Sequence, residues 1–388
     1  MSNYGLLING ELVKSDMTLD VINPATEEVF TQVPRADEAM LDQAVAGAKV
    51  AAAKWALTDI DERKALIHKI ADAINANIEP LAKALTQEQG KPLAAATMEV
   101  QYAEIFCRYF TSLNLENEVL VDDENQRVEV QRTPLGVVAG ILPWNFPLLI
   151  GIYKIAPSIL AGNSIILKPA PTTPVVSVML GEILKDVVPA GLVNILVDDN
   201  DLGPKITSHP GIDKISFTGS TPTGKAIMSS AASTLKRITL ELGGNDAAIA
   251  LDDIDVKAAA QGIFNTAFIN SGQVCIALKR LYAHESIYDE LCEEIASLAR
   301  QAVVGNGLDE ATQFGPVQNK MQYAKVCDYL EDAKANGNVI AGGEPLDQKG
   351  YFVPLTVVKD ISDGTRVVDE EPFGPILPIV KYSELDDA

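Results

Sequence analysis

The chain has 388 residues, of which 47% are hydrophobic and only 6% aromatic, and its formal net charge is -22 at pH 7. This length predicts two or three domains with aliphatic cores of the kind that α/β layers bury. The negative charge would repel phosphate backbones, so nucleic acid is not an expected partner. No apolar stretch approaches the roughly 18 residues that span a bilayer, so no membrane contact is expected. The four cysteines are too few and too widely spaced for a disulfide framework, which favours a reducing cytoplasm.

The N-terminal part predicts short strands followed by helices. Residues 7–13 and 19–33 alternate as strands do, and Asn23-Pro24-Ala25-Thr26 is the turn between them. Apolar residues at three- and four-residue spacing then predict helices over residues 37–55 and 59–89.

A polar hairpin is expected next. The stretch 116–126 is acidic, and residues 127–132 alternate between polar and apolar side chains. This pattern predicts an exposed two-stranded ribbon, which is a natural contact between subunits because its edges are unpaired.

From Gly136 onward, strand and helix patterns alternate regularly. Such alternation predicts a doubly wound parallel sheet. The predicted strands are 137–142, 164–167, 193–197, 214–217 and 237–242, and the predicted helices are 147–160, 174–187, 202–208 and 224–232. A second α/β unit follows a boundary near residue 247, with helices over 257–268, 287–302 and 320–335.

The chemistry-bearing residues begin with a cysteine and a carboxylate. Cys275 ends the run Asn270-Ser271-Gly272-Gln273-Val274-Cys275, close to Lys279 and Arg280, whose positive charge favours a thiolate. Glu241 lies in Leu240-Glu241-Leu242-Gly243-Gly244 on a predicted strand, on the face opposite the apolar residues. A thiol nucleophile and a base that acts later suffice for covalent catalysis through a thioester.

The other cysteines and the histidines are not expected to be catalytic. Cys292 and Cys327 lie on amphipathic helices, as small buried residues do. None of the three histidines lies in a motif, which disfavours a serine or cysteine triad. The sequence predicts no metal site.

Other motifs supply an amide, a lysine and two turns. Asn145 lies in Pro143-Trp144-Asn145-Phe146-Pro147, where its amide can donate to a developing oxyanion. Lys168 lies at the carboxyl end of a predicted strand, where its ammonium can hold a ribose of the cofactor or a 2′-phosphate. Gly219-Ser220 joins a strand to a helix whose N-terminus suits a phosphate. Glu371 and Phe373 lie in a proline-bounded turn, Glu371-Pro372-Phe373-Gly374-Pro375.

Together these motifs resemble the NAD(P)-dependent aldehyde dehydrogenase superfamily. The resemblance implies that Cys275 is the nucleophile, that Glu241 is the general base that activates water, and that Asn145 stabilises the oxyanion. It also implies that Glu371 and Phe373 clasp the nicotinamide ribose. The full set of cofactor-binding residues that it implies is Pro143, Trp144, Lys168, Gly219, Ser220, Glu371 and Phe373.

The resemblance also implies a domain organisation and a set of partners. Residues 1–115 and 136–247 would form the NAD(P)-binding domain, residues 116–135 the oligomerisation ribbon, and residues 248–388 the catalytic domain. The expected partner is a small-molecule aldehyde, and the expected assembly is a homodimer or homotetramer.

Two features of the sequence depart from the family pattern around the cofactor. Pro171 replaces a glutamate that often follows the lysine in NAD-preferring relatives, which opens the way to NADP. The carboxylates of Asp198, Asp199 and Asp201 lie where the family is usually glycine-rich, and they would repel a 2′-phosphate. NAD is therefore the expected cofactor, with NADP as the alternative.

Three functional alternatives follow. Residues 383–388 have the pattern of a helix cap and first turn, so the chain is expected to lack the family's usual C-terminal segment. The first alternative is NAD(P)-dependent oxidation of an aldehyde to a carboxylate. The second is a catalytically silent nucleotide-binding or scaffolding chain. The third is an acyl-CoA-forming semialdehyde dehydrogenase, against which Glu241 argues because a thiol acceptor needs no water-activating base.

Overall fold

The computed structural model describes residues 4–388, which form two compact units. The first unit contains the described residues up to Val21, together with Val29–Ala84 and Thr97–Glu241. The second contains Ile22–Glu28, Leu85–Ala96 and Leu242–Ala388. The division into cofactor, ribbon and catalytic domains remains a proposal about function.

The described chain alternates strands and helices along most of its length. The strands are β1 (Leu6–Ile8), β2 (Glu11–Val13), β3 (Thr18–Asn23), β4 (Glu28–Pro34), β5 (Glu118–Asp122), β6 (Arg127–Val130), β7 (Val137–Ile141), β8 (Ser164–Lys168), β9 (Val193–Ile195), β10 (Lys214–Thr218), β11 (Arg237–Glu241), β12 (Asp246–Ala250), β13 (Leu278–His284), β14 (Asn338–Ala341), β15 (Thr356–Ile361) and β16 (Ile376–Tyr382). The helices are α1 (Glu38–Trp55), α2 (Ile60–Asn75), α3 (Ile78–Gln89), α4 (Leu93–Thr111), α5 (Pro147–Leu160), α6 (Val175–Leu184), α7 (Gly203–Ser208), α8 (Thr221–Ala231), α9 (Val256–Phe268), α10 (Tyr288–Gln301), α11 (Lys320–Asn336) and α12 (Arg366–Asp369).

The first unit is built on a seven-stranded sheet in the order β11-β10-β7-β8-β9-β1-β2. The five strands from β7 to β11 are parallel, and β1 and β2 extend the sheet antiparallel beyond β9. Every residue of β7, β8 and β9 is buried, as expected for parallel strands covered by helices on both faces. This order confirms the predicted doubly wound parallel sheet.

The second unit has its own five-stranded sheet, in the order β12-β13-β16-β15-β14. Four of these strands are parallel, and only β14 pairs antiparallel with its neighbour. Helices α9 and α10 bury their apolar residues in one core with the strands, and Phe268, Tyr288 and Leu291 are fully buried there. The prediction of a second α/β unit is confirmed.

The predicted ribbon is a separate two-stranded hairpin, β5 paired antiparallel with β6. Its apolar side chains are exposed rather than packed, with Val119, Leu120, Val128 and Val130 all more than 40% accessible. The sheet hairpin near the N-terminus also forms as predicted, because Asn23 O accepts hydrogen bonds from the N–H groups of Thr26 and Glu27.

Three features of the structure differ from the helix predictions. The helix expected over 59–89 is two helices, α2 and α3, because Asn77 donates its side-chain amide to Ala73 O and closes the end of α2. Helix α4 was not predicted at all. Its residues Met98, Tyr102 and Ile105 are exposed whereas Val100 and Ala103 are buried, so apolar side chains occupy both faces and the sequence shows no amphipathic period. Residues 383–388 form turns and no helix.

Candidate active site

Most predicted site residues of the first unit lie at the carboxyl edge of its sheet. Strands β7 and β10 are neighbours, although the chain passes through β8 and β9 before it returns to β10. Asn145 follows β7 and Gly219 follows β10, while Lys168 ends β8 and Glu241 ends β11. In open α/β sheets, ligands bind outside the carboxyl ends of the strands where the strand order reverses. The fold therefore places these residues where a cofactor crevice is expected.

Asn145 is held in a defined orientation by the loop between β7 and α5. It is only 3% exposed, and its Oδ1 accepts a hydrogen bond from the Phe146 N–H at 3.1 Å. The next helix is capped by Glu99 of α4, whose carboxylate accepts from the N–H groups of Leu148 and Leu149. An amide donates only through its NH₂ group, so this is the part of Asn145 that suits an oxyanion. Pro143 and Trp144 precede it in the same loop and are half-buried.

The glycine turn after β10 offers fewer donors than its sequence suggested. The Gly219 N–H donates to Glu241 O at 3.0 Å, so it closes the ends of two strands. Ser220 is the N-cap of α8 and accepts from the Thr223 N–H at 3.4 Å, and Pro222 has no N–H. The donors that fit a phosphate here are the Ser220 hydroxyl and the remaining N-terminal N–H groups of α8.

Lys168 is not a free positive charge. Its ammonium lies 2.6 Å from Asp198 Oδ1, and both side chains are buried, with exposed fractions of 5% and 0%. It also donates to Asn200 Oδ1 at 3.2 Å, while the second Asp198 oxygen accepts the Leu202 N–H at 2.9 Å. The buried carboxylate therefore neutralises the lysine next to the expected adenine ribose position.

Lys154 is a candidate site residue that the sequence did not reveal. It lies on α5 and is 5% exposed, and its Nζ donates to Ser216 Oγ at 3.1 Å and to Thr218 Oγ1 at 3.0 Å on β10. Burial lowers the pKa of Lys154 to about 8, although the carboxylate of Glu241 acts in the opposite direction. A lysine that exchanges its proton near neutral pH thus lies within the electrostatic reach of the predicted base. A lone lysine in a helical pattern carries no motif that could have indicated this.

In the second unit, an unusual backbone path leads to Cys275. Three consecutive residues, Asn270, Ser271 and Gly272, have φ values of 51°, 55° and 71°. The Ser271 hydroxyl donates to Gly315 O at 2.8 Å, and the Gln273 amide donates to Asn270 O at 2.9 Å. Because non-glycine residues rarely adopt positive φ, these hydrogen bonds must stabilise a strained loop, as active sites often do.

The loop also packs closely on the Glu371–Pro375 turn. A Cβ atom on Gly272 would lie 2.1 Å from Gly374 O, so only glycine permits this approach. Phe373 has a φ of 51°, and its carbonyl accepts from Gln322 Nε2 at 3.1 Å. The structure thus brings Cys275, Glu371 and Phe373 together within this unit.

The surroundings of Cys275 have opposing effects on the ionisation of its thiol. Burial is the largest effect and raises the pKa of the half-buried Cys275, and Glu371 raises it further. The N–H groups of Ile276 and Cys275 and the charge of Lys279 lower this pKa. Burial raises the pKa of Cys292 to about 12, which agrees with its interpretation as a small buried residue, whereas Cys327 is only half-buried. Burial likewise raises the pKa of Cys107 to about 12. Arg280, the other cation near Cys275 in the sequence, donates to the main-chain carbonyl of Asn245 at 3.2 Å.

Lys279 joins the nucleophile loop to Glu371. Its Nζ donates to Cys275 O at 2.6 Å and lies 3.2 Å from Glu371 Oε1. The Glu371 carboxylate packs against the two glycines after β11: a Cβ on Gly243 would lie 2.0 Å from Glu371 Oε2, and the Gly244 N–H donates to Oε1 at 3.4 Å. The sequence suggested only that Lys279 lies near Cys275 along the chain.

Asn245, which follows Gly243 and Gly244, has a structural role. Its side-chain amide donates to Val368 O at 2.8 Å and so fixes helix α12, which leads to Glu371. Across residues 4–388, no group of three or more His, Cys, Asp or Glu side chains is arranged to hold a metal ion. Within the same range, no helix is long and apolar enough to cross a bilayer.

Comparison with known proteins identifies the family. The model of the aldehyde dehydrogenase family matches residues 12–388. A probable aldehyde dehydrogenase of Pseudomonas sp is 38% identical over 387 residues, which cover 100% of this chain and 79% of that protein. An NAD⁺ complex of an aldehyde dehydrogenase from Bacillus cereus superimposes with a TM-score of 0.96 at 34% identity, covering 99% of this chain and 80% of that one. An E. coli enzyme described as NADP dependent also gives a TM-score of 0.96, at 32% identity and with 99% and 82% of the two chains covered.

These matches confirm the predicted enzyme class, an NAD(P)-dependent aldehyde dehydrogenase. The family model spans almost the whole chain, and the alignment with the Pseudomonas sp relative covers all of this chain. The chain therefore belongs to the aldehyde dehydrogenase family.

Proposed function

We propose that this chain oxidises an aldehyde to a carboxylate through a thioester on Cys275, with NAD as the preferred cofactor. The observation that carries the proposal is the nucleophile loop. Its strained residues Asn270–Gly272 and the Lys279 bond to Cys275 O fix a half-buried thiol beside Glu371, which is the predicted ribose ligand. Such a fixed, partly accessible thiol suits nucleophilic catalysis.

In this mechanism the thiolate form of Cys275 attacks the aldehyde carbon, and the thiohemiacetal oxyanion that forms accepts a hydrogen bond from the Asn145 amide. A dinucleotide held by Ser220, the N-terminus of α8 and Glu371 would supply the acceptor for the hydride that the thiohemiacetal carbon loses, and loss of that hydride leaves a thioester on Cys275. Glu241 then removes a proton from water, the hydroxide attacks the thioester, and the carboxylate and the thiol are released.

The donor set fits a dinucleotide. Ser220 and the N-terminus of α8 can bind a phosphate, and Lys168 lies at the end of β8 where an adenine ribose is expected. Asp198 neutralises Lys168 at 2.6 Å, and Asp199 beside it is exposed. An added 2′-phosphate would meet the exposed Asp199 carboxylate and a lysine that Asp198 already neutralises, which supports NAD over NADP.

An exposed apolar stripe on α4 supports an aldehyde with an apolar carbon group. Met98, Tyr102, Ile105 and Tyr109 recur at helical spacing and are 50%, 51%, 52% and 54% exposed. Through Glu99, α4 caps the helix that begins just after Asn145. Exposed apolar surface beside polar site residues is typical of ligand-binding surfaces.

The exposed β5-β6 hairpin supports a homodimer or homotetramer. Its apolar residues, among them Val119 and Val128, face solvent in the single chain, and its strand edges are unpaired.

A single assay tests the proposal. The purified chain is mixed with NAD or NADP and a panel of aldehydes that runs from acetaldehyde to benzaldehyde, with and without coenzyme A, and the reduced nicotinamide is followed by absorbance. We expect aldehyde-dependent reduction of the nicotinamide without coenzyme A. The kcat/KM should be higher with NAD than with NADP, and higher for aldehydes with a larger apolar group than for acetaldehyde. Cys275→Ala should reduce no nicotinamide. Turnover by Cys275→Ala would overturn the covalent mechanism, and a requirement for coenzyme A would favour the acyl-CoA-forming alternative.

A further inference from the structure

The second unit contains a buried lysine that contacts both the nucleophile loop and the predicted ribose ligand. Lys279 is only 3% exposed. Its Nζ donates to Cys275 O at 2.6 Å and to Ala277 O at 3.3 Å, and it forms an ion pair with Glu371 Oε1 at 3.2 Å. A buried ammonium with one carboxylate partner and two carbonyl partners is tightly fixed, because losing any of them would leave a buried charge poorly compensated.

We propose that Lys279 is the positioning residue that couples cofactor binding at Glu371 to the reactivity of the Cys275 thiol. The inference rests on the proposed function, because it takes Glu371 as the ligand of the nicotinamide ribose. The coupling has a direct physical route: the same ammonium holds the carboxylate that would bind the cofactor and the carbonyl of the nucleophile itself.

The charges around the thiol have opposite effects. Lys279 favours the thiolate, whereas Glu371 opposes it, and their separation of 3.2 Å means that each partly cancels the field of the other. When ribose hydroxyl groups donate to the Glu371 carboxylate, that negative charge is stabilised by the ligand. More of the Lys279 field then acts on the thiol, so a bound cofactor should increase the thiolate fraction.

The other charged groups near this loop do not replace Lys279. Arg280 donates to Asn245 O, and Lys325 donates to the main-chain carbonyl of Glu371 at 2.9 Å rather than to its carboxylate. Asp246 lies near the Gly244 backbone, where an added Cβ would be 2.7 Å from its Oδ1. Lys279 is therefore the cation that bridges the two functional groups.

The test measures the alkylation of Cys275 by iodoacetamide as a function of pH, with and without NAD, and with peptide mass spectrometry to identify the modified cysteine. No aldehyde or turnover is needed. NAD binding is measured separately, by quenching of tryptophan fluorescence. The variants are Lys279→Met, which removes the charge, Lys279→Arg, which retains it, and Glu371→Gln, which removes the opposing charge. Lys257→Met, at an exposed lysine of α9, is the control for net charge.

We expect NAD to lower the alkylation midpoint of the unaltered chain. Lys279→Met should raise the midpoint by about one pH unit, which reduces the thiolate fraction at pH 7 roughly tenfold, and should abolish the NAD effect. Glu371→Gln should lower the midpoint, and Lys279→Arg should restore most of the NAD effect. Opposite shifts in the two charge-removing variants would not arise from a general loss of structure.

Two results would overturn the inference. One is an unaltered midpoint and NAD response in Lys279→Met, and the other is NAD binding that leaves thiol alkylation unchanged in the unaltered chain. If Lys279→Met does not fold, Glu371→Gln still tests the inference. An unchanged or raised alkylation midpoint in Glu371→Gln would contradict the claim that the Glu371 charge opposes the Cys275 thiolate. Absence of NAD binding to the unaltered chain would instead refute the proposed function.

Discussion

Replacement of Lys154 by methionine should change how stability depends on pH. In the unfolded chain this amine has the ordinary lysine pKa of 10.5, whereas burial lowers the pKa in the folded chain to about 8. Below pH 8 the amine is charged in both states, and the folded state bears the cost of a buried charge. Between pH 8 and 10.5 the unfolded chain binds more protons, so the unfolding free energy of the unaltered chain rises with pH.

The magnitude follows from the difference between the two pKa values. Each unit corresponds to 1.36 kcal/mol, so the contribution of Lys154 to the unfolding free energy should rise by about 3 kcal/mol across this range. Lys154→Met should lack that increment. At pH 7 the variant avoids the cost of burying a charge but loses the hydrogen bonds to Ser216 and Thr218, about 1 kcal/mol each, so its stability should match or slightly exceed that of the unaltered chain.

The assay is urea-induced unfolding followed by circular dichroism at a series of pH values from 7 to about 10.5, with the stability difference between unaltered chain and variant as the readout. Lys225→Met, at an exposed lysine of α8, controls for removal of one positive charge. A difference that stays constant with pH for Lys154→Met, or that changes equally for both variants, would refute the assignment of a lowered pKa to Lys154.

Three further outcomes are expected. Asp198→Asn should leave the buried Lys168 uncompensated, which lowers the unfolding free energy by about 3 kcal/mol and raises the ratio of kcat/KM for NADP to that for NAD. The control Asp199→Asn, at an exposed position, should change the stability little. An unchanged ratio in Asp198→Asn would contradict the role of Asp198 in cofactor choice. Gly272→Ala should lower the melting temperature, because residue 272 has a positive φ and the added Cβ would lie 2.1 Å from Gly374 O. Gly262→Ala, on helix α9 with open space around it, should raise the melting temperature. Similar melting temperatures for the two variants would contradict the close approach at Gly272. Val119→Lys on the exposed hairpin should reduce the oligomeric mass measured by light scattering, and an unchanged mass would exclude the hairpin as a subunit contact.

Local patterns in the sequence were sufficient to predict much of the fold. The alternation of apolar strands and amphipathic helices after Gly136 placed all five parallel strands of the first sheet, and each begins at or next to its predicted first residue. The turn at Asn23 was also predictable, because asparagine and proline have defined turn preferences. Helix α4 was not predictable from its period, because its exposed face is as apolar as its buried face.

The candidate site was predictable where motifs are contiguous and not where contacts are long-range. Cys275, Asn145 and Glu371 each lie in a short run of distinctive residues. Lys154 has its partners more than sixty residues away, on β10, and its burial depends on the packing of α5 against the sheet. The Lys279 contact with Glu371 likewise joins distant parts of the chain, and only the folded structure reveals it.

The central claim is that Cys275 carries an acyl thioester during aldehyde oxidation. The most direct measurement uses Glu241→Gln, in which the base that hydrolyses the thioester is removed while acylation can still proceed. The variant is mixed with NAD and one aldehyde, quenched in acid after one turnover, and analysed by intact and peptide mass spectrometry. The account predicts one equivalent of reduced nicotinamide per chain followed by a stall, with the mass of the acyl group on Cys275. Steady turnover without an adduct, or an adduct on another residue, would contradict it.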